Sequence, residues 1–130
     1  MSESHKTYAR WLFGIAAAFN AAVALFLLFA EELAARLLDL APIAGSNVVF
    51  YVFTALVVAL FGYAYFRVAR DPITFRSHIL LGALGKLLAF VSTTLPWAMG
   101  IISWKLPLLT LGDVAFAGLF LDFLRRTRRN

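Results

Sequence analysis

Long apolar runs broken by short polar stretches make up almost the whole chain. The runs cover residues 11–30, 48–66, 79–95 and 106–123. Each is about 17–20 residues long, enough for a helix to cross a hydrocarbon core roughly 30 Å thick. The second run is rich in Val, Phe and Tyr (Phe50, Tyr51, Phe53, Val57, Val58, Phe61), a composition that reads as strand in water. In lipid the backbone must satisfy its own polar groups, so an unbroken run of this length reads as helix. The pattern therefore predicts an all-α, four-helix transmembrane bundle.

Polar residues are rare within the runs, and their positions follow a pattern. The first carries Asn20, the second Thr54, the third Lys86 and the fourth Asp113. At about 1.5 Å per residue, Asn20 lies about 15 Å from Arg10 and Lys86 about 15 Å from Arg76. Asp113 lies about 18 Å from Arg125, and Thr54 roughly 20 Å from Arg67. Asn20, Lys86 and Asp113 thus fall near one level at mid-membrane. Lys86 is the only ionisable group between Ile79 and Met99, and a charge at the bilayer centre costs about 2.5–3.5 kcal/mol on insertion scales. Asp113 is the natural partner to offset that cost.

The connecting stretches carry the punctuation expected of a bundle. Residues 31–40 are good helix formers, either an extension of the first span or a short interfacial helix. Pro42 ends this segment, and in Gly45-Ser46-Asn47 the Ser or Asn can cap the second span. Arg70-Asp71-Pro72 reads as a helix start, with Asp71 as N-cap and Pro72 at the first helical position; Asp71 could also pair with Arg67, Arg70 or Arg76. Leu95-Pro96 ends the third span, residues 97–105 read as an interfacial loop, and Pro107 fits the first turn of the fourth span. Tyr8, Trp11, Tyr63 and Tyr65 mark an aromatic belt on the inner side. Around Asn20, the small residues Ala16, Ala17 and Ala24 allow close helix approach, and Gly14, Ala18 and Ala22 form a second small face.

Composition agrees with this pattern. Of 130 residues 62% are hydrophobic, against roughly half for a soluble domain. That leaves residues 1–130 as a single integral-membrane domain. The net charge of +5 would fit nucleic-acid binding, but its distribution does not. With the N-terminus inside, Lys6, Arg10, Arg67, Arg70, Arg76, Arg125, Arg126, Arg128 and Arg129 are all cytoplasmic, while Arg36 and Lys105 lie outside. This is positive-inside asymmetry, and it predicts both termini in the cytoplasm of a bacterial-type inner membrane. The first apolar run is too long for a signal-peptide core and is followed by three more, so it reads as a retained helix.

The chain has no cysteine, which excludes disulfide, thiol-redox and iron–sulfur chemistry. His5 and His78 are far apart in sequence, so no metal site or cofactor is expected. There is no nucleophile triad, carboxylate pair or phosphate loop, which weighs against an enzyme. The candidate ligand-binding set is Asn20, Lys86, Asp113 and Thr54, with His78 and Asp71 as candidate proton-entry groups at the inner surface. The set could be a neutralising pair that holds the bundle in register, or it could line a mid-membrane site for a small solute, a proton or a lipid-like ligand. A membrane-embedded enzyme on a lipid-soluble substrate and an accessory subunit are the alternatives. Beyond the lipid bilayer, a second copy or a membrane partner is expected to complete any pathway.

Gly85-Lys86-Leu87, Gly112-Asp113-Val114-Ala115-Phe116-Ala117 and the exit Phe123-Leu124-Arg125-Arg126 resemble small four-span bacterial membrane proteins, DoxX-like in size and layout. The resemblance implies the topology and no particular catalytic residues. In its four short spans the chain is also similar to small multidrug transporters, but it has Asn20 where these carry a first-helix glutamate.

Overall fold

The computed structural model describes residues 1–128, so Arg129 of the basic tail lies outside the described residues. The fold is all-α. Its elements are α1 (Glu3–Phe29), α2 (Glu31–Leu37), α3 (Asn47–Arg70), α4 (Arg76–Ala98) and α5 (Lys105–Arg126). All but α2 are long and apolar enough to cross a membrane, as in a multi-pass membrane protein.

Helix α1 begins eight residues before its apolar run because Ser2 accepts from the His5 N–H and Glu3 pairs with Lys6 at 2.9 Å. It ends at Ala30, whose φ of −125° breaks the helix. Residues 31–37 then form a separate short helix, not an extension of the first span. Asp39 follows with φ +51°, a left-handed conformation that Asp tolerates better than most residues. Asn47 does not cap α3. Its amide nitrogen donates to the Pro42 carbonyl at 3.2 Å, and Ser46 makes no side-chain cap either.

Two further expectations about helix ends are corrected. Asp71 closes α3 instead of opening α4: its carboxylate accepts from the N–H groups of Ile73 and Thr74 at 3.2 and 3.0 Å. Residues 72–75 are a turn, and α4 starts at Arg76. Asp71 pairs with none of its arginine neighbours among the described residues; Arg76 donates instead to Thr127 Oγ1 and the Leu124 carbonyl, tying α4 to the end of α5. Pro96 does not stop α4, which runs on to Ala98. A proline in the last turn removes one backbone bond without displacing anything downstream, and the chain turns at Gly100, φ +74°. Pro107 does sit in the first turn of α5.

The helices pack as two pairs, α1 along α3 and α4 along α5. Both termini lie at one end of the bundle, where the Tyr8 and Phe123 rings are 6.1 Å apart. At this terminal end the pairs join through a layer of large side chains. Phe13 meets Phe120 at 4.6 Å and Phe123 edge-on at 5.7 Å, and Tyr65 meets Phe120 at 5.2 Å. Tyr65 is therefore core and not belt. Two residues apart on a helix turns a side chain by roughly 200°, so Tyr63 is exposed while Tyr65 is 1% exposed.

Close backbone approach accompanies this packing. A Cβ on Gly62 would sit 3.1 Å from the Asn20 Cβ, and one on Gly82 would collide with the Tyr65 ring. The Asn20 face of α1 is packed as expected, with Ala16 and Ala24 buried. The other small face is not: a Cβ on Gly14 would meet nothing within 4 Å, and Ala18 and Ala22 are exposed. Toward the opposite end the pairs separate. There a smaller cluster of Leu27, Ala34 and Ala55 holds α1, α2 and α3, aided by the Tyr51 hydroxyl donating to the Leu27 carbonyl.

Candidate site at the floor of an intramembrane cavity

Where the two pairs part, they leave a cavity of about 640 Å³ between them. All four long helices line it, and Leu38, Leu40, Ala41 and Ile43 of the connector after α2 contribute at the far end. Its walls are mostly apolar, among them Phe19, Val23 and Leu27 on α1, Val57 and Phe61 on α3, and Leu106 and Leu109 on α5. Asn20, Lys86 and Asp113 also line it. Tyr65 lines the cavity beside them, and the aromatic layer it forms with Phe13 and Phe120 packs on toward the termini, so the polar groups and the Tyr65 ring together make the floor.

The three residues form one connected cluster. The Lys86 ammonium donates to Asp113 Oδ1 at 2.7 Å and to Asn20 Oδ1 at 3.2 Å. Asn20 in turn donates through its amide nitrogen to the Val58 carbonyl of α3 at 3.0 Å, an approach compatible with Gly62 one turn on. The cluster thereby links α4, α5, α1 and α3. Lys86 Nζ also faces three rings, Phe116 at 4.9 Å, Tyr65 at 5.3 Å and Phe19 at 5.5 Å from their centroids. Ring faces carry negative charge density and attract a cation, most strongly where water is excluded. Both line the cavity, but Lys86 is 3% exposed and Asp113 16%, so the carboxylate is the more accessible member of the pair.

The remaining predicted residues lie apart from this cluster. Thr54 lines the cavity, but its hydroxyl turns back to the Phe50 carbonyl at 2.8 Å. His78 stacks edge-on against Phe75 at 5.2 Å, and the cavity lining includes neither it nor Asp71. On α4 the buried residues Ile79, Gly82 and Ala83 separate His78 from Lys86. Bonds donated by Thr74, from its side chain and then its backbone, hold the Asp71 carboxyl below the usual carboxylate range, consistent with a turn-closing role.

Several contributors are not evident from residue type alone. Phe19 adjoins Asn20 in sequence and Phe116 follows Asp113 by three residues, so helical spacing could have linked both to the polar set. Tyr65 gives no such signal, because a tyrosine beside Arg67 looks interfacial. Thr93 and Thr110 share a hydroxyl–hydroxyl bond of 2.7 Å between α4 and α5 in the cavity wall. At the far end Lys105 on α5 pairs with Asp39 at 3.1 Å, bridging the two helix pairs beside the connector that helps line the cavity. No known protein family, curated protein or solved structure matches this chain.

Proposed function

We propose that this protein holds a small amphipathic, lipid-like molecule within the membrane, with its polar end against Lys86, Asp113 and Asn20. The observation that carries the reading is the placement of a buried ion pair at the closed end of an apolar cavity. A pair serving only to register the helices would be equally effective in a dry, filled interior, and apolar residues there are often no less stable. Ligand sites, in contrast, combine mostly apolar walls with a few convergent polar groups, in volumes of about 300–1,000 Å³.

The topology proposed with it places both termini on the cytoplasmic face of a bacterial-type plasma membrane. Its support is the concentration of Lys6, Arg10, Arg67, Arg70, Arg76, Arg125, Arg126 and Arg128 toward the terminal end of the bundle.

Native mass spectrometry of the purified full chain in mild detergent tests the reading. The wild type should retain a lipid-soluble adduct. Ala89→Trp, which projects an indole into the cavity, should lose it while keeping a cooperative unfolding transition. Equal retention by the two proteins would rule the cavity out as the binding site.

A further inference from the structure

We infer that the cavity selects a neutral hydrogen-bond donor, an alcohol or phenol on an apolar body, which enters sideways between α3 and α4 and docks on Asp113. The inference rests on the binding reading above and adds the chemical class of ligand and the route it takes.

The class follows from which bonding capacity at the floor is already used. An ammonium has three donors. For Lys86, one goes to Asp113 and one to Asn20, and the ring of Phe116 lies against the same nitrogen. Asn20 has its oxygen taken by Lys86 and donates to Val58. The hydroxyls of Thr54 and Ser92 donate back to their own helix, to the carbonyls of Phe50 and Leu88. Asp113 differs: Oδ1 accepts from Lys86, but Oδ2 accepts from no described residue, and this is the side chain that remains partly exposed at the cavity. The floor therefore presents a charged acceptor with spare capacity.

Charge narrows the class further. The floor is already neutral overall, because the Lys86 and Asp113 charges cancel. A carboxylate or phosphate head would face the unpaired oxygen of Asp113 at close range and be repelled in surroundings that screen poorly. An ammonium head would bring a second cation beside Lys86 and leave the site with a net charge among apolar walls, a costly arrangement. A hydroxyl meets the acceptor without adding charge, and a bond to an ionised acceptor is stronger than one between neutral groups.

The route follows from which lining residues are open to the outside. Phe50 and Thr54 on α3 and Ser92 on α4 line the cavity and are exposed, and so are Ala41 and Asn47 where the connector reaches α3, which extends the opening along α3 toward the far end. The two helices meet closely only nearer the terminal end, where a Cβ on Gly82 or Gly85 would strike Tyr65 or Phe61. The gap between them beyond that point faces the leaflet opposite the termini, the side from which a membrane-dissolved molecule would arrive.

Equilibrium binding of three matched probes to the full chain in nanodiscs tests the inference, with the Ala89→Trp protein in identical nanodiscs as the blank for partitioning. The probes are para-decylphenol, decylbenzene and para-decylbenzoate. Wild-type protein should bind the phenol at least about tenfold more tightly than decylbenzene, the size expected for one hydrogen bond to a charged group. Lys86→Met/Asp113→Leu should abolish that preference while retaining decylbenzene binding. Should the double variant not fold, Asp113→Asn, close in size but uncharged, must reduce the preference severalfold. Equal affinity for phenol and decylbenzene overturns the donor inference and leaves the cavity reading intact. Tightest binding of the benzoate also overturns it, by showing Lys86 free to take an anion. No probe bound above the blank overturns the inference and the cavity reading together.

Discussion

Lys86 on α4 and Asp113 on α5 meet at 2.7 Å where the two helix pairs begin to separate. Each neutralises a charge that would be costly alone. Removing one partner of a buried pair typically costs about 3–5 kcal/mol, whereas replacing both with apolar groups is often neutral. Lys86→Met and Asp113→Asn should each lower thermal stability by several degrees, and the double variant should recover much of the loss. Thermal unfolding of the four proteins in one detergent gives the coupling energy. Additive losses would mean that the two residues do not stabilise one another.

Gly82 is the point where α4 yields to Tyr65. Adding a methyl group there gains up to about 1 kcal/mol of helix propensity but pushes against a fully buried ring, at about 1–3 kcal/mol for overpacking. The overlap should win, so Gly82→Ala should be destabilising by roughly 1 kcal/mol or more. The control is Tyr65→Leu, in whose background Gly82→Ala should be harmless or slightly stabilising. Persistence of the full penalty in that background would place the clash elsewhere.

The Asp39–Lys105 pair at the far end should make the connector sensitive to acid. Hydrogen bonds from Lys105 and then Ser103 hold the Asp39 carboxyl below its ordinary range. A lowered carboxyl stabilises fully above the ordinary carboxylate value, and the contribution disappears as pH falls through the lowered one. Amide exchange across residues 38–46, corrected for intrinsic rates, should therefore speed up on acidification below that range. Asp39→Asn, which also tolerates the left-handed backbone, should show the faster exchange already at neutral pH. Identical protection in the two proteins at neutral pH would remove the pair as a constraint on the connector.

Packing at the terminal end should dominate stability. Phe120 is fully buried against Phe13 and Tyr65, while Leu88 is 66% exposed. Lipid is as apolar as leucine, so membrane helices associate through close packing more than through exclusion of water. Phe120→Ala should cost about 3 kcal/mol and Leu88→Ala only a few tenths, measured by denaturant titration in mixed micelles. Comparable losses would argue that the aromatic layer is not what joins the pairs.

The four spans are legible in the linear pattern because a span of lipid needs a long apolar helix whatever its neighbours are. The shared depth of Asn20, Lys86 and Asp113 is legible for a related reason. A rise of about 1.5 Å per residue converts distance along a helix directly into height. Helix ends are less legible. Asp71-Pro72 has the composition of a helix start, yet the Asp71 side chain is used by the turn immediately after α3. Tyr65 looks interfacial beside Arg67, but rotation about α3 turns it to the core.

From its sequence alone, then, this chain determines an all-α, four-span architecture and the level of its polar groups, because hydropathy and helical rise are local properties. Contact between Lys86, Asp113 and Asn20 depends on how each helix is rotated and which helices are neighbours. Those are set by nonlocal packing, with Gly62 admitting Asn20 and Gly82 admitting Tyr65. The cavity is more remote still from the linear pattern. It exists because large aromatic side chains join the two helix pairs at one end and nothing equivalent fills the space at the other, and that difference arises only when the helices come together.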